Sequence, residues 1–377
     1  MFSKSIKICK IELNFYLYLF PNKYKHYIIM NKAKVILNHI QSTSKFKSIY
    51  KLINPQLFDV TLRDGIQTMK PEDISYNKKI DMFQDIVKHM QPQKIEIGSF
   101  VSSKILPIMK DTEQLYQECS QILDNYNPLP ELLSSSEMQP YSIPELYVLI
   151  PPTFERYNQA CLNDVNNLSL ITAVSEEFLI KNTNINENDT VRTISKINQI
   201  SDKKIKLYIS CINECPIQGI LDNDIVINNI LFYHNENFDN ICLSDTCGTL
   251  SFKDYKYIID ECISFGVKPN NISLHLHINK NIKETVNIIR YSLNKKINKF
   301  DVSAIENGGC SVTMDKNRMH HNLTYDVFYD ILLNYIVDLT NEPNEPPPYG
   351  QGVISLQSVL DTSFNSYSDD NNKLLFA

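Results

Sequence analysis

The sequence predicts a (β/α)8 barrel, a TIM barrel with its active face at the C-terminal ends of the strands. Three observations predict it. From residue 56 onward, eight short apolar runs alternate with eight stretches of helical spacing. The chain has only nine glycines, and Gly65, Gly98, Gly219, Gly248, Gly308 and Gly309 stand at or just after the ends of apolar runs. Polar and titratable residues sit beside those glycines. A doubly wound parallel sheet is the alternative that the alternation allows, and the count of eight favours the barrel.

Taken in order, strands are expected over 57–62, 93–97, 145–150, 168–173, 205–211, 239–244, 271–277 and 299–305. Each is an apolar run of strand length. In the first, Phe58, Val60 and Leu62 alternate with Asp59 and Thr61, a period of two. Helices are expected near 74–90, 109–125, 154–164, 187–200, 222–235, 252–265, 280–295 and 324–338, where apolar residues recur at helical spacing. Pro and Ser break the rhythm over 127–143, which reads as a long surface insertion before the third strand. The expected organisation is a basic, partly disordered extension over 1–54, a catalytic barrel over 55–340, and a linker and mobile tail over 341–377, opening on "NEPNEPPPY".

Composition excludes several classes. At 43% apolar the chain can bury a sizeable core. Lys plus Arg is 37 against 43 Asp plus Glu, a balance that does not suit a nucleic-acid binder. The longest apolar stretch near the start, "FYLYLF", falls far short of the roughly 20 residues that span a bilayer, so no membrane partner is expected. Residues 1–54 hold ten lysines and a single acid, Glu12. That suits an organelle-targeting segment, but the segment lacks arginine and Met30 offers an alternative start, so the expectation is cytoplasmic. Nine cysteines, odd in number and without CxxC pairs, read as reduced thiols of an intracellular protein.

Four stretches carry chemistry. In "FDVTLRDGIQ" (58–67), one of only five arginines, Arg63, stands beside Asp64 at the end of an apolar strand. In "SLHLHINKN" (273–281), His275 and His277 are two apart and so face the same way on a strand. Two such imidazoles are half of a metal site, or else two hydrogen-bonded histidines without an ion. If Asp64 meets them on the rim, the mixed nitrogen and oxygen set suits Mg²⁺, Mn²⁺ or Zn²⁺. In "SAIENGGCSVTM" (303–314), Cys310 follows a glycine pair, where a thiol can serve as proton donor or nucleophile, or be an ordinary small loop residue. Beyond it, Asn322 is either a helix cap or an oxygen ligand. In "KIEIGSF" (94–100), Glu96 lies inside an apolar strand and needs a partner; Arg63 on the neighbouring strand would satisfy both.

The stretches "VTLRDGIQ", "KIEIGSFVSSKILPIM", "YISCINECPIQG", "CLSDTCGTL", "LHLHINK" and "ENGGCSV" followed by "HNLTYD" occur in the order found in the 3-hydroxy-3-methylglutaryl-CoA lyase family. From about residue 56 to about residue 340 the chain resembles that family, and more broadly the metal-dependent lyase and synthase barrels that include isopropylmalate, homocitrate and citramalate synthases. The resemblance implies cleavage of 3-hydroxy-3-methylglutaryl-CoA, or a close acyl-CoA, to acetyl-CoA and acetoacetate, with a divalent cation. It implies catalytic roles for Arg63, Glu96 and Cys310, metal ligation by Asp64, His275, His277 and Asn322, and substrate contacts from Gln67, Asp245 and Thr246. An acyl-CoA partner is expected on the same ground; a homodimer is also among the expectations. The Cys310 loop is longer and poorer in glycine than the family's, and Ile278 stands where the family carries Asp or Asn. The alternatives are a condensing synthase of the isopropylmalate or homocitrate type and an inactive barrel that serves as a binding protein.

Overall fold

A computed structural model describes residues 25–126, 143–238, 240–309, 314 and 320–341. Eight parallel strands close a barrel: β1 (Gln56–Asp59), β2 (Lys94–Ser99), β3 (Glu145–Ile150), β4 (Asn167–Ala173), β5 (Lys204–Ser210), β6 (Ile241–Ser244), β7 (Ile272–His275) and β8 (Lys299–Val302). They pair in sequence order, and β1 closes the ring by pairing with both β2 and β8. The TIM barrel expected from the alternation of elements is therefore the fold.

Alternation along each strand decides what faces the barrel axis. In β5, Leu207 and Ile209 are fully buried on one side, and Lys206 and Tyr208 point the other way, into the barrel. Phe58 of β1, in register with Asp301 of β8, packs with Val60 and Tyr147. The helices between strands start where short polar side chains can take up free main-chain donors. Ser75, Thr153, Ser251 and Asn281 each accept an N–H in the first turn of the helices Tyr76–His89, Phe154–Leu162, Phe252–Ser264 and Ile282–Asn294.

Three departures from the sequence reading bear on the site. The first strand ends at Asp59, not at residue 62, and Thr61–Gly65 forms a single π-helical turn. The seventh ends at His275, not at residue 277; His277 instead forms an isolated antiparallel bridge with Asn322. A further helix, Glu176–Thr183, follows β4. At eight residues it is too short to show a clear period, and it is fixed by the Ser175 cap and by burial of Phe178 and Leu179.

Two helices, Lys25–Ser42 and Ser44–Ile53, precede the barrel and bury Ile29, Met30, Ala33, Ile40 and Phe46. The described residues up to Val337 form one compact unit, and a second begins at Asp338. Of the second, only residues 338–341, the end of the helix Tyr325–Asn341, are described. The insertion expected over 127–143 lies, but for its last residue, outside the described residues, as does the tail from 342. No described helix is long and apolar enough to cross a membrane.

Candidate metal and catalytic site

The π turn after β1 is built by its own buried polar residues. Asp59, fully buried, accepts the Thr61 N–H and hydroxyl, both at 2.9 Å, and the Tyr325 hydroxyl at 2.8 Å. Burial pushes the Asp59 carboxyl up to about 7, against the pull of these donors. The Thr61 hydroxyl oxygen in turn accepts the N–H of Ala304, past the end of β8, at 2.8 Å. The turn closes through Gly65 N–H to the Val60 carbonyl at 3.0 Å, a five-residue step. A Cβ at residue 65 would lie 2.8 Å from the Ser303 hydroxyl, so the closure needs glycine.

This turn places Arg63 and Asp64, adjacent in the chain, in one buried cluster. The Arg63 Nε donates to Glu96 at 2.5 Å and Nη1 donates to Asp64 at 2.7 Å. The Arg63–Glu96 pairing expected from the sequence is present. Burial opposes the Arg63 charge, but the Glu96 and Asp64 carboxylates outweigh it, so the guanidinium is charged at any working pH. The Gln67 amide donates both to Asp64 Oδ1 and to the Gly309 carbonyl, each at 2.6 Å. Burial alone would raise the Asp64 carboxyl; Arg63 and the two histidines reverse this and hold it well below the usual range.

From the end of β7, two places from β1 around the ring, His275 and His277 bring Nε2 to 3.9 and 3.6 Å from Asp64 Oδ2. Each ring is oriented from behind. His275 Nδ1 lies 3.2 Å from the Asp301 carboxylate, and His277 Nδ1 lies 2.8 Å from the Asp245 carbonyl. Both partners are acceptors, so a neutral ring held in this geometry would carry its proton on Nδ1 and leave Nε2 bare. Burial lowers the His275 pKa; for His277 burial acts the same way, but Asp64 overrides it and the pKa rises.

The donor set fits a divalent cation. One ligand atom each from Asp64, His275 and His277 lie within 4.8 Å of one another. Asp64 Oδ2, His277 Nε2 and Asn322 Oδ1 are all buried without a hydrogen-bond partner. Buried polar atoms are almost always satisfied, so the orphaned Asp64 and His277 acceptors within this cluster mark a place for a cation, and the orphaned Asn322 oxygen is a further candidate donor. Asn322 is held beside His277 by the backbone bridge, and its amide N–H donates to the Asn307 carbonyl at 2.8 Å, which turns its oxygen away from that contact. Gly308 makes room for it: a Cβ there would lie 2.6 Å from the Asn322 side chain.

Not every expected residue joins the cluster. Asp245 was expected to touch substrate, yet its carboxylate accepts the N–H groups of Thr249 and Leu250, at 3.2 and 3.1 Å, while its carbonyl holds His277. Thr246 accepts the Cys211 N–H at 2.8 Å. Both side chains thus fix loops, because free main-chain donors after β5 and β6 take them first. Cys310 lies outside the described residues. The sequence reading missed Lys206, Tyr208 and Asp301, which meet beneath the histidines. The signal that singled out Glu96, a charge inside an apolar strand, is also present at Lys206 and Asp301.

No family model matches the chain. It is 24% identical over 258 residues to the 3-hydroxy-3-isohexenylglutaryl-CoA/hydroxymethylglutaryl-CoA lyase of Pseudomonas aeruginosa, covering 68% of this chain and 78% of that one. It is 24% identical over 239 residues to the mitochondrial hydroxymethylglutaryl-CoA lyase of Macaca fascicularis, covering 63% of this chain and 66%, just under two thirds, of the other. The solved structure of an HMG-CoA lyase from Acenitobacter baumannii, in complex with coenzyme A and 3-methylmalate, matches the fold with a TM-score of 0.60 at 19% identity. That match covers 78% of this chain and 98% of the other.

Proposed function

Starting from a chain that is HMG-CoA lyase-like in sequence and fold, we propose a divalent-cation-dependent carbon–carbon lyase. Its substrate is 3-hydroxy-3-methylglutaryl-CoA or a close acyl-CoA, cleaved to acetyl-CoA and a keto acid. The observation that carries this reading is the cluster of Asp64, His275 and His277 around orphaned buried acceptors, directly beside a guanidinium that is permanently charged.

The reaction breaks the C2–C3 bond of a tertiary alcohol. The hydroxyl proton leaves, C3 becomes a ketone, and the bonding pair stays on C2 as a thioester enolate that then takes up a proton. Asp64, His275, His277 and Asn322 would hold the cation, which would supply Lewis-acid orientation of the alcohol and favour loss of its proton. Arg63 stabilises the enolate oxygen; Glu96 and Asp64 fix the plane of its guanidinium beforehand, so no reorganisation is needed as charge develops. Gln67 keeps Asp64 Oδ1 occupied, which leaves Oδ2 for the cation. Cys310 is the acid that protonates C2, a role that rests on the family resemblance.

The test is a panel of 3-hydroxyacyl-CoA esters incubated with the purified protein and Mn²⁺. Release of acetyl-CoA and acetoacetate from 3-hydroxy-3-methylglutaryl-CoA, abolished by a chelator and restored by Mn²⁺, is expected. Acetyl-CoA consumption with a 2-keto acid, and no cleavage of any ester, would assign the synthase direction instead.

A further inference from the structure

Beneath the site lies a buried ion pair that the proposed chemistry does not use. Lys206 of β5 and Asp301 of β8 are each almost fully buried and face one another across the barrel. The Lys206 ammonium donates to Asp301 Oδ1 and lies 3.5 Å from the centroid of the Phe58 ring and 4.6 Å from that of Tyr208. One carboxylate and two aromatic faces therefore replace its water. The other carboxylate oxygen, Oδ2, accepts the Tyr208 hydroxyl at 2.9 Å and lies 3.2 Å from His275 Nδ1. Tyr208 also comes within 3.4 Å of Glu96 Oε2, the atom that receives Arg63. The side chains form a circuit from Arg63 through Glu96, Tyr208, Asp301 and His275 back towards Asp64.

For stability alone this arrangement is a poor choice. Desolvating two charges is costly, and apolar side chains of similar size serve a barrel interior as well or better. What the pair supplies that apolar residues cannot is an acceptor behind His275. A neutral imidazole in water prefers its proton on Nε2, the nitrogen that must stay bare to bind a cation.

We propose that Asp301 is a positioning residue: it holds the His275 proton on Nδ1 and turns Nε2 towards Asp64, with Lys206 and Tyr208 fixing the carboxylate in place. The inference rests on the cation site of the proposed function. Metal-bound histidines generally need such a partner, and its loss weakens metal binding by about 10- to 100-fold.

Two measurements test it. In the wild-type apo protein with ¹⁵N-labelled histidine, long-range proton–nitrogen spectra give the tautomer of His275, assigned by its disappearance in His275→Gln. A proton on Nδ1 is expected; a proton on Nε2 overturns the proposal, and this readout needs no substitution in the network. The second is calorimetric titration of Mn²⁺ into wild type, Tyr208→Phe and the double variant Lys206→Met/Asp301→Leu, which leaves no unpaired buried charge. The double variant should keep its melting temperature and bind Mn²⁺ about 10- to 100-fold more weakly, with Tyr208→Phe in between. A folded double variant with wild-type affinity overturns the inference and leaves the cation site standing. Wild type that binds no Mn²⁺ removes the proposed function itself. Should the double variant fail to fold, the wild-type tautomer decides.

Discussion

The guanidinium of Arg63 donates to the carboxylate of Asp64, the next residue in the chain, at 2.7 Å. Neighbours along a strand point to opposite faces, so this contact exists only because a π turn carries both residues. It ties the group assigned to the enolate to the group assigned to the cation. Arg63→Lys keeps the charge but loses the planar fork. Turnover should fall by at least ~100-fold, the scale of losing one transition-state donor, while Mn²⁺ still binds. Normal turnover with a large drop in melting temperature would make Arg63 a structural partner of Glu96.

Removing a ligand should remove the metal. Wild type is expected to bind one Mn²⁺ per chain by mass spectrometry of the native protein, and His275→Ala to bind at least about tenfold more weakly. Equal and negligible occupancy in both would defeat the lyase reading.

Gly308→Ala probes Asn322 without touching it. The added Cβ would sit 2.6 Å from the Asn322 amide, so that side chain must move. Mn²⁺ affinity should weaken about tenfold with the far-ultraviolet circular dichroism unchanged. Unaltered affinity would take Asn322 out of the ligand set.

Cys310→Ser separates proton delivery from binding. A hydroxyl is a far weaker acid than a thiol of pKa about 8.5, so turnover should collapse while Mn²⁺ binding persists. An alkylating reagent should inactivate wild type, and substrate should protect it. Full activity in the serine variant would hand the proton to another group and favour the synthase direction.

Asp59 predicts a pH dependence of stability. Its carboxyl sits at about 7 in the fold, above the usual 3.8, because burial disfavours the charge. Between roughly pH 4 and 7 the folded chain therefore holds a proton that the unfolded chain has released, and stability falls as pH rises through that window. The full effect is on the order of 4 kcal/mol. Asp59→Asn should flatten the slope of melting temperature against pH; an unchanged slope would show that another group sets it.

The barrel was legible because its strands are buried on both sides and so read as short, largely apolar runs, as in "ELYVLI" and "NLSLITA". The donors were legible for a different reason. Charges inside such runs, Glu96 above all, have no cheap explanation, and His275 and His277 share a face by period alone. The π turn was not legible. Phe58, Val60 and Leu62 keep the alternation of a strand beyond Asp59, and no residue type announces a five-residue hydrogen bond. The hydrogen bonds from the Thr249 and Leu250 N–H groups to Asp245 were not legible either, because they come from main-chain atoms that no side-chain pattern reveals. Asp301 was missed although it stands in "KFDV", since its meaning depends on Lys206, 95 positions away in the chain.

A π turn is an α turn carrying one residue too many. Between Thr61 and Gly65 the chain is therefore sensitive to length as well as to the residues that build the turn. Deleting a single residue there would let the turn relax to the ordinary helical step and swing every later side chain by about 100° around its axis. Asp64 would then turn away from the histidines with its chemistry intact. A chain shortened by one residue here should therefore lose its cation site although every ligand is still present in its sequence.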